Sequence, residues 1–202
     1  MTRRPLAWLP ILAAIVVGAG VALLARGPEI PTLESGTVLP EPRPIGAFGL
    51  VDQNGREFGR AALAGRWTLV FTGFTHCPDI CPTTLAQLAA LKRRLGSEGR
   101  GLRIVFLSVD PARDSPEALA RYLGHFGGGL TGLTGAEAEV LRLERDLGLA
   151  HVRNPGAADD YTVDHSAALV LIDPEAQVAG YFRPPWSLER LAADLAPLAA
   201  AD

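Results

Sequence analysis

Two stretches of the chain are apolar or β-branched at almost every position. Trp67–Phe74 and Leu102–Val109 each run with hardly a polar break, which is the mark of strands buried on both faces. Between them the period changes. Leu85, Leu88, Ala89, Leu91 and Leu95 recur at helical spacing, predicting a helix over Thr83–Leu95 that Gly96 and Gly99 stop. Ser115-Pro116-Glu117 supplies a cap, a proline for the first turn and an early acid, so a second helix is expected to run through Phe126. Ala136–Leu147 reads as a third helix, ended by Gly148. Upstream, Phe48–Val51 and Arg56–Phe58 flank Asn54-Gly55, a hairpin signal. Downstream, Ala167–Ile172 and Val178–Phe182 read as strands around Asp173-Pro174-Glu175, and Ser187–Leu198 as a last helix. The polar segment His151–Tyr161 has no period and reads as irregular.

Strands alternating with helices define an α/β layered domain. Its order is a hairpin, β-α-β-α, a helix, a β-hairpin and a final helix. With a cysteine pair between the first buried strand and its helix, this is a thioredoxin-like arrangement. The domain is expected to span residues 46–200. Residues 27–45, punctuated by Pro, Glu and Gly, read as an extended linker.

Residues 1–26 are of another kind. Arg3 and Arg4 precede an uncharged apolar run from Pro5 to Ala25, which ends at Arg26. About 20 such residues cross a bilayer as a helix, and the flanking arginines place the N-terminal end in the cytoplasm. The expectation is a single-pass anchor in the cytoplasmic membrane, with the domain on the periplasmic side. A cleaved signal peptide is the rival reading, although its apolar run is usually shorter, ~7–15 residues. Both put the domain outside the cytoplasm.

Composition narrows the function. A net charge of -3 gives no basic face for nucleic acid. The chain has two cysteines, Cys77 and Cys81, too few and too close for a disulfide framework. They lie in Thr75-His76-Cys77-Pro78-Asp79-Ile80-Cys81-Pro82, at the C-terminal end of a strand, where α/β proteins place ligands. Pro82 suits the first helical position, which makes Cys81 a cap or near-cap residue whose thiolate the helix dipole would stabilise. Three residues separate the cysteines, where thioredoxin-type oxidoreductases have two. Two thiolates with an imidazole favour Cu(I), with Zn(II) the competitor. The plain alternative is an inert disulfide stapling one loop.

A third ligand must come from elsewhere. His76 reads as a loop residue, His125 as part of a helix and His151 as solvated. His165, in Asp160-Tyr-Thr-Val-Asp164-His165-Ser166, precedes a buried strand, where thioredoxins carry a proline that faces the cysteine helix. Spacing alone leaves it evenly balanced between ligand and bystander.

Cys77-Pro-Asp-Ile-Cys81-Pro82, followed by Asp164-His165-Ser166 before an apolar strand ending Asp173-Pro174, resembles the Sco (SenC/PrrC) family of copper chaperones. Leu107-Ser108-Val109-Asp110-Pro111 with Arg113-Asp114-Ser115-Pro116 matches a further stretch of that family, and the resemblance covers about residues 40–198. It implies one copper ion, Cu(I) or Cu(II), bound by Cys77, Cys81 and His165. It also implies delivery to the dinuclear copper site of cytochrome c oxidase, with the oxidase's copper-binding subunit and other periplasmic copper carriers as partners. Asp79 reads as a tuning group or a helix-start acid, and Asp164 as an orienting acceptor for His165 or a solvated loop acid. Asp110 and Arg113 read as a strand-end turn, and Trp186 as packing. The alternative function is an exported thiol–disulfide oxidoreductase using Cys77 and Cys81 on an oxidase subunit, a role that would not need His165.

Overall fold

The computed structural model describes residues 32–127, 129–156 and 161–200. The anchor expected over residues 1–26 lies outside them, and no helix among the described residues is long and apolar enough to cross a membrane. The chain runs β1 (Thr37–Pro44), β2 (Gly49–Asp52), β3 (Glu57–Gly59), α1 (Arg60–Leu63), β4 (Trp67–Gly73), α2 (Ile80–Leu95), a 3-10 turn (Glu98–Gly101), β5 (Leu102–Ser108), α3 (Pro116–Gly124), β6 (Leu130–Thr134), α4 (Glu137–Leu147), β7 (His151–Asn154), β8 (Thr162–His165), β9 (Leu169–Ile172), β10 (Gln177–Phe182) and α5 (Leu188–Ala200).

One eight-stranded sheet has the order β1-β10-β9-β4-β5-β6-β2-β3, and β7 and β8 pair apart from it. β4 and β5 are parallel, while β9 and β10 continue the sheet antiparallel beyond β4. These four strands are the thioredoxin-like core. β4 is buried at all seven positions, because helices cover both faces of the sheet. On one side Val140, Leu143 and Leu147 of α4 pack against Val70, Val105, Leu107, Val170 and Ile172. Elsewhere α2 packs against α5, burying Leu85, Leu88, Leu91, Leu191 and Leu195. Each fully buried side chain of this size contributes on the order of 1.5–3 kcal/mol.

Local chemistry accounts for the element ends. Asp52 accepts the amides of Asn54 and Arg56 at 2.8 and 2.9 Å, and Gly55 takes the positive φ of 75° that the hairpin turn needs. Ser115 caps α3 by accepting the Ala118 amide.

Three expectations are corrected. Residues 37–44, expected within the linker, form β1, which pairs antiparallel with β10 at the edge of the sheet. Pro40, Pro42 and Pro44 concealed it, and an edge is where a strand tolerates proline. β6 was not expected, because Gly127 and Gly129 precede a run containing Gly132 and make it read as a loop. The segment 151–161, expected to be irregular, begins with β7, paired to β8 in the register His151↔His165 and Asn154↔Thr162.

Candidate metal centre

Three side chains from two distant parts of the chain meet at the end of β4. Cys77 lies in the loop after β4, Cys81 in the first turn of α2 and His165 at the end of β8. Their ligand atoms all lie within 4.8 Å of one another, and Cys81 Sγ is 3.3 Å from His165 Nε2. Among the described residues this is the one Cys/His/Asp/Glu group gathered closely enough to hold a metal ion. Both cysteines are free.

The cysteine side is built on buried backbone. Asp114, fully buried, accepts Thr75 N at 3.1 Å, Thr75 Oγ1 at 2.5 Å and Ser108 Oγ at 2.6 Å. The turn that presents Cys77 is thus fastened to the end of β5. Burial holds the Asp114 carboxyl above its ordinary range, opposed by these same hydrogen bonds. Helix α2 starts earlier than expected, with Asp79 at the N-cap and making no side-chain cap bond. Cys81 therefore sits inside the first turn. Its amide donates to Cys77 Sγ at 3.4 Å, so the open helix end serves the other cysteine. Burial, then the neighbouring Cys77 thiol, push the Cys81 thiol far above its usual range, which overrides the dipole effect expected from sequence. A metal ion arriving here must displace that proton.

Gly73, directly beneath, makes the depth possible. A Cβ there would lie 2.6 Å from the Phe106 ring and 2.9 Å from Cys81 Sγ.

The imidazole is oriented from behind. His165 Nδ1 lies 3.1 Å from the Ser166 carbonyl, and donating to it leaves the Nε2 lone pair toward the sulfur. Phe71 and Phe74 meet the ring edge-on at 5.8 and 6.2 Å. Burial lowers the affinity of His165 for a proton, which keeps the ring available as a ligand. Asp164 does not orient it; that carboxylate accepts Asn154 Nδ2 at 2.7 Å.

The other histidines stay out of the centre. His76 is exposed, with Nδ1 3.0 Å from Thr75 Oγ1, and His125 is exposed at the C-cap of α3. His151, expected to be solvated, is instead 2.6 Å from Glu144 of α4. Asp110 and Arg113 do form the expected strand-end turn, but they also reach the hairpin. The Tyr161 hydroxyl donates to buried Asp110 at 2.6 Å, and the Arg113 guanidinium lies 3.6 Å over the Tyr161 ring. Trp186 donates to Gln87 at 3.2 Å. The roles of Asp114, Tyr161 and Glu144 were not read from sequence, since each depends on a partner in another element.

Two sulfurs and one nitrogen suit a soft ion, Cu(I) before Zn(II). The centre opens onto a groove of about 650 Å³ whose rim includes Ile80, 58% exposed.

Fold and site together define a thioredoxin-like domain with a Cys-Cys-His metal centre. The chain belongs to the SCO1/SenC family, whose family model matches residues 38–200. It is 43% identical over 155 residues to a Stutzerimonas stutzeri protein named for copper binding, covering 76% of each. It is 40% identical over 150 residues to the human mitochondrial protein SCO2 homolog, covering 72% of this chain but 56% of that protein. This chain therefore spans little more than half the length of the human relative. Among solved structures, Bradyrhizobium japonicum ScoI with copper bound matches with a TM-score of 0.72 at 36% identity, over 77% of this chain and 99% of that one.

Proposed function

We propose that this chain is a copper metallochaperone. It takes up one copper ion, as Cu(I) or Cu(II), on Cys77 Sγ, Cys81 Sγ and His165 Nε2, and gives it to the dinuclear copper site of cytochrome c oxidase. The observation that carries the reading is the convergence of those three atoms within 4.8 Å of one another. Family membership supports copper over zinc as the cargo, and the relatives named for copper point the same way. The open groove and the exposed Ile80 beside the cysteines favour transfer to another protein over permanent storage.

The chain's own residues divide the work. Cys77 and Cys81 grip the ion, and displacing the Cys81 proton makes uptake pH-dependent. His165 adds the nitrogen that Cu(II) prefers, and Asp114 holds the turn carrying the first sulfur. The segment 1–26 would tether this domain on the extracytoplasmic side of the cytoplasmic membrane, close to an oxidase. A thiol–disulfide exchange role for Cys77 and Cys81 remains compatible with the free thiols but leaves His165 without a purpose.

The test is transfer. Copper-loaded protein is mixed with the metal-free copper-binding subunit of an oxidase, and copper is followed by metal analysis after separation and by the absorption of the dinuclear site. The expected result is one copper per chain before mixing and its appearance in the subunit afterwards. Loaded protein that keeps its copper in the presence of the reduced subunit would defeat the delivery reading.

A further inference from the structure

His165 rides on a ribbon outside the main sheet that is tied to the rest of the fold at a few separate points. Strands β7 and β8 pair only with each other, and an isolated two-stranded ribbon is marginal in water. β7 contributes no apolar residue to the core, and Val152 is 61% exposed. On β8 the register rests on the single buried apolar residue Val163, and on β7 on none, and a slip of one residue turns every side chain to the opposite face. At this position a slip would replace His165 at the cysteines by Asp164 or Ser166.

Two contacts with the main fold oppose that slip at the end of the ribbon nearest the metal centre: Thr72 Oγ1 of β4 donates to the Ser166 carbonyl at 3.0 Å, and α4 holds His151. His151 is the direct cross-strand partner of His165. Its Nδ1 is 2.6 Å from Glu144 Oε2, and the two side chains are 8% and 2% exposed. Glu144 stands on α4, whose Val140, Leu143 and Leu147 are part of the main core. The carboxylate is otherwise poorly served, since its Oε1 is buried without a hydrogen-bond partner. A buried polar pair of this kind is a weak source of stability compared with apolar packing, but it is directional. Next to it, Ser166 N donates to the Ala150 carbonyl at 3.0 Å, and Ala150 N to Ser166 Oγ at 3.1 Å.

Resting on the copper reading above, we propose that Glu144 and His151 form a register lock, a positioning pair that aims His165 at the cysteines without touching the ion. Glu144 ties His151 to the core, His151 fixes β7, and β7, together with Val163 packed against Phe74 and Val109, fixes which residue of β8 faces Cys81. The lock therefore governs the third ligand and leaves the two thiolates alone.

The test compares wild type, Glu144→Leu/His151→Leu, His151→Phe and His151→Gln in the full chain. The double variant removes both polar groups and so leaves no unpaired buried carboxylate. His151→Phe keeps a ring without the hydrogen bond, and is read in the same way if the double variant does not fold. His151→Gln restores a donor to Glu144. In metal-free protein, NMR contacts between the His165 ring and the Phe71 and Phe74 rings are expected in wild type and His151→Gln, and lost in the other two. On copper addition the two lock-free variants should bind Cu(II) at least about tenfold more weakly with a shifted thiolate-to-copper band, as losses of orienting partners do, and keep their Cu(I) affinity. Lock-free variants that retain both the ring contacts and the wild-type Cu(II) band would overturn the proposal. If wild type binds no copper, the copper reading fails, while the ring contacts still decide the lock.

Discussion

The two halves of the metal centre are supported in opposite ways. The cysteine half sits at the end of β4, a strand buried along its whole length, and its turn is fastened by three donors to the buried Asp114. The histidine half sits on a ribbon outside the main sheet, tied down at separate points by Glu144, by Val163 against Phe74 and Val109, and by Tyr161 against Asp110 and Arg113. Local opening costs least where buried contacts are fewest, so the ligand most easily withdrawn is the nitrogen. Cu(I) is satisfied by two thiolates, whereas Cu(II) asks for nitrogen or oxygen as well. The division of support is thus also a division between oxidation states.

The strongest way to break this comparison is to remove the cysteine half. Cys77→Ser/Cys81→Ser should lower copper content from one per chain to none in either oxidation state, as read by metal analysis after gel filtration. Closing that half by oxidation should have the same effect reversibly. Metal-free protein carrying a Cys77–Cys81 disulfide should take up no copper until reduced, because the thiolate is the ligand, and thiol titration beside copper uptake would check it. Loosening the support instead of the ligands gives a smaller effect. Asp114→Ala leaves the Thr75 and Ser108 donors without their acceptor, and should cost about 2–4 kcal/mol in urea unfolding and weaken both oxidation states together. His165→Ala should separate the halves, weakening Cu(II) far more than Cu(I) and altering the thiolate-to-copper band, while His76→Ala and His125→Ala leave that band in place. The smallest effect comes from a residue that contacts no ligand: Ser115→Ala should cost about 1 kcal/mol through its lost cap, with copper content unchanged.

The cysteine half was largely legible in the sequence and the histidine half was not. Continuous apolar runs exposed β4 and β5, helical spacing exposed α2, and the cysteines sat where those two patterns join. These are local signals. What the sequence misplaced there was fine detail, since α2 begins at Ile80 and burial, which no short motif reports, outweighs the helix end at Cys81. His165 was singled out by family resemblance; spacing left it undecided. The strand across from it was hidden, because His151–Asn154 is short, polar and exposed at its two middle positions. Glu144 sits on a helix with the period of a core-facing element, and nothing in that period distinguishes a buried carboxylate from a solvated one. β1 was concealed by its prolines and β6 by its glycines, both residues that normally mark breaks.

Gly73 has a consequence for the transfer proposed above. With no side chain on that strand position, the Cys81 sulfur settles against the sheet itself, in space a methyl group would contest with the Phe106 ring. One sulfur therefore lies at the floor of the centre, as low as the backbone permits, and Cys77 lies nearer the rim. An acceptor protein of the kind proposed above would meet the shallower sulfur first. In the transfer proposed above, handover would have a built-in sequence: the outer thiolate would exchange before the inner one, and the ion would stay tethered to the floor until a new ligand had taken hold.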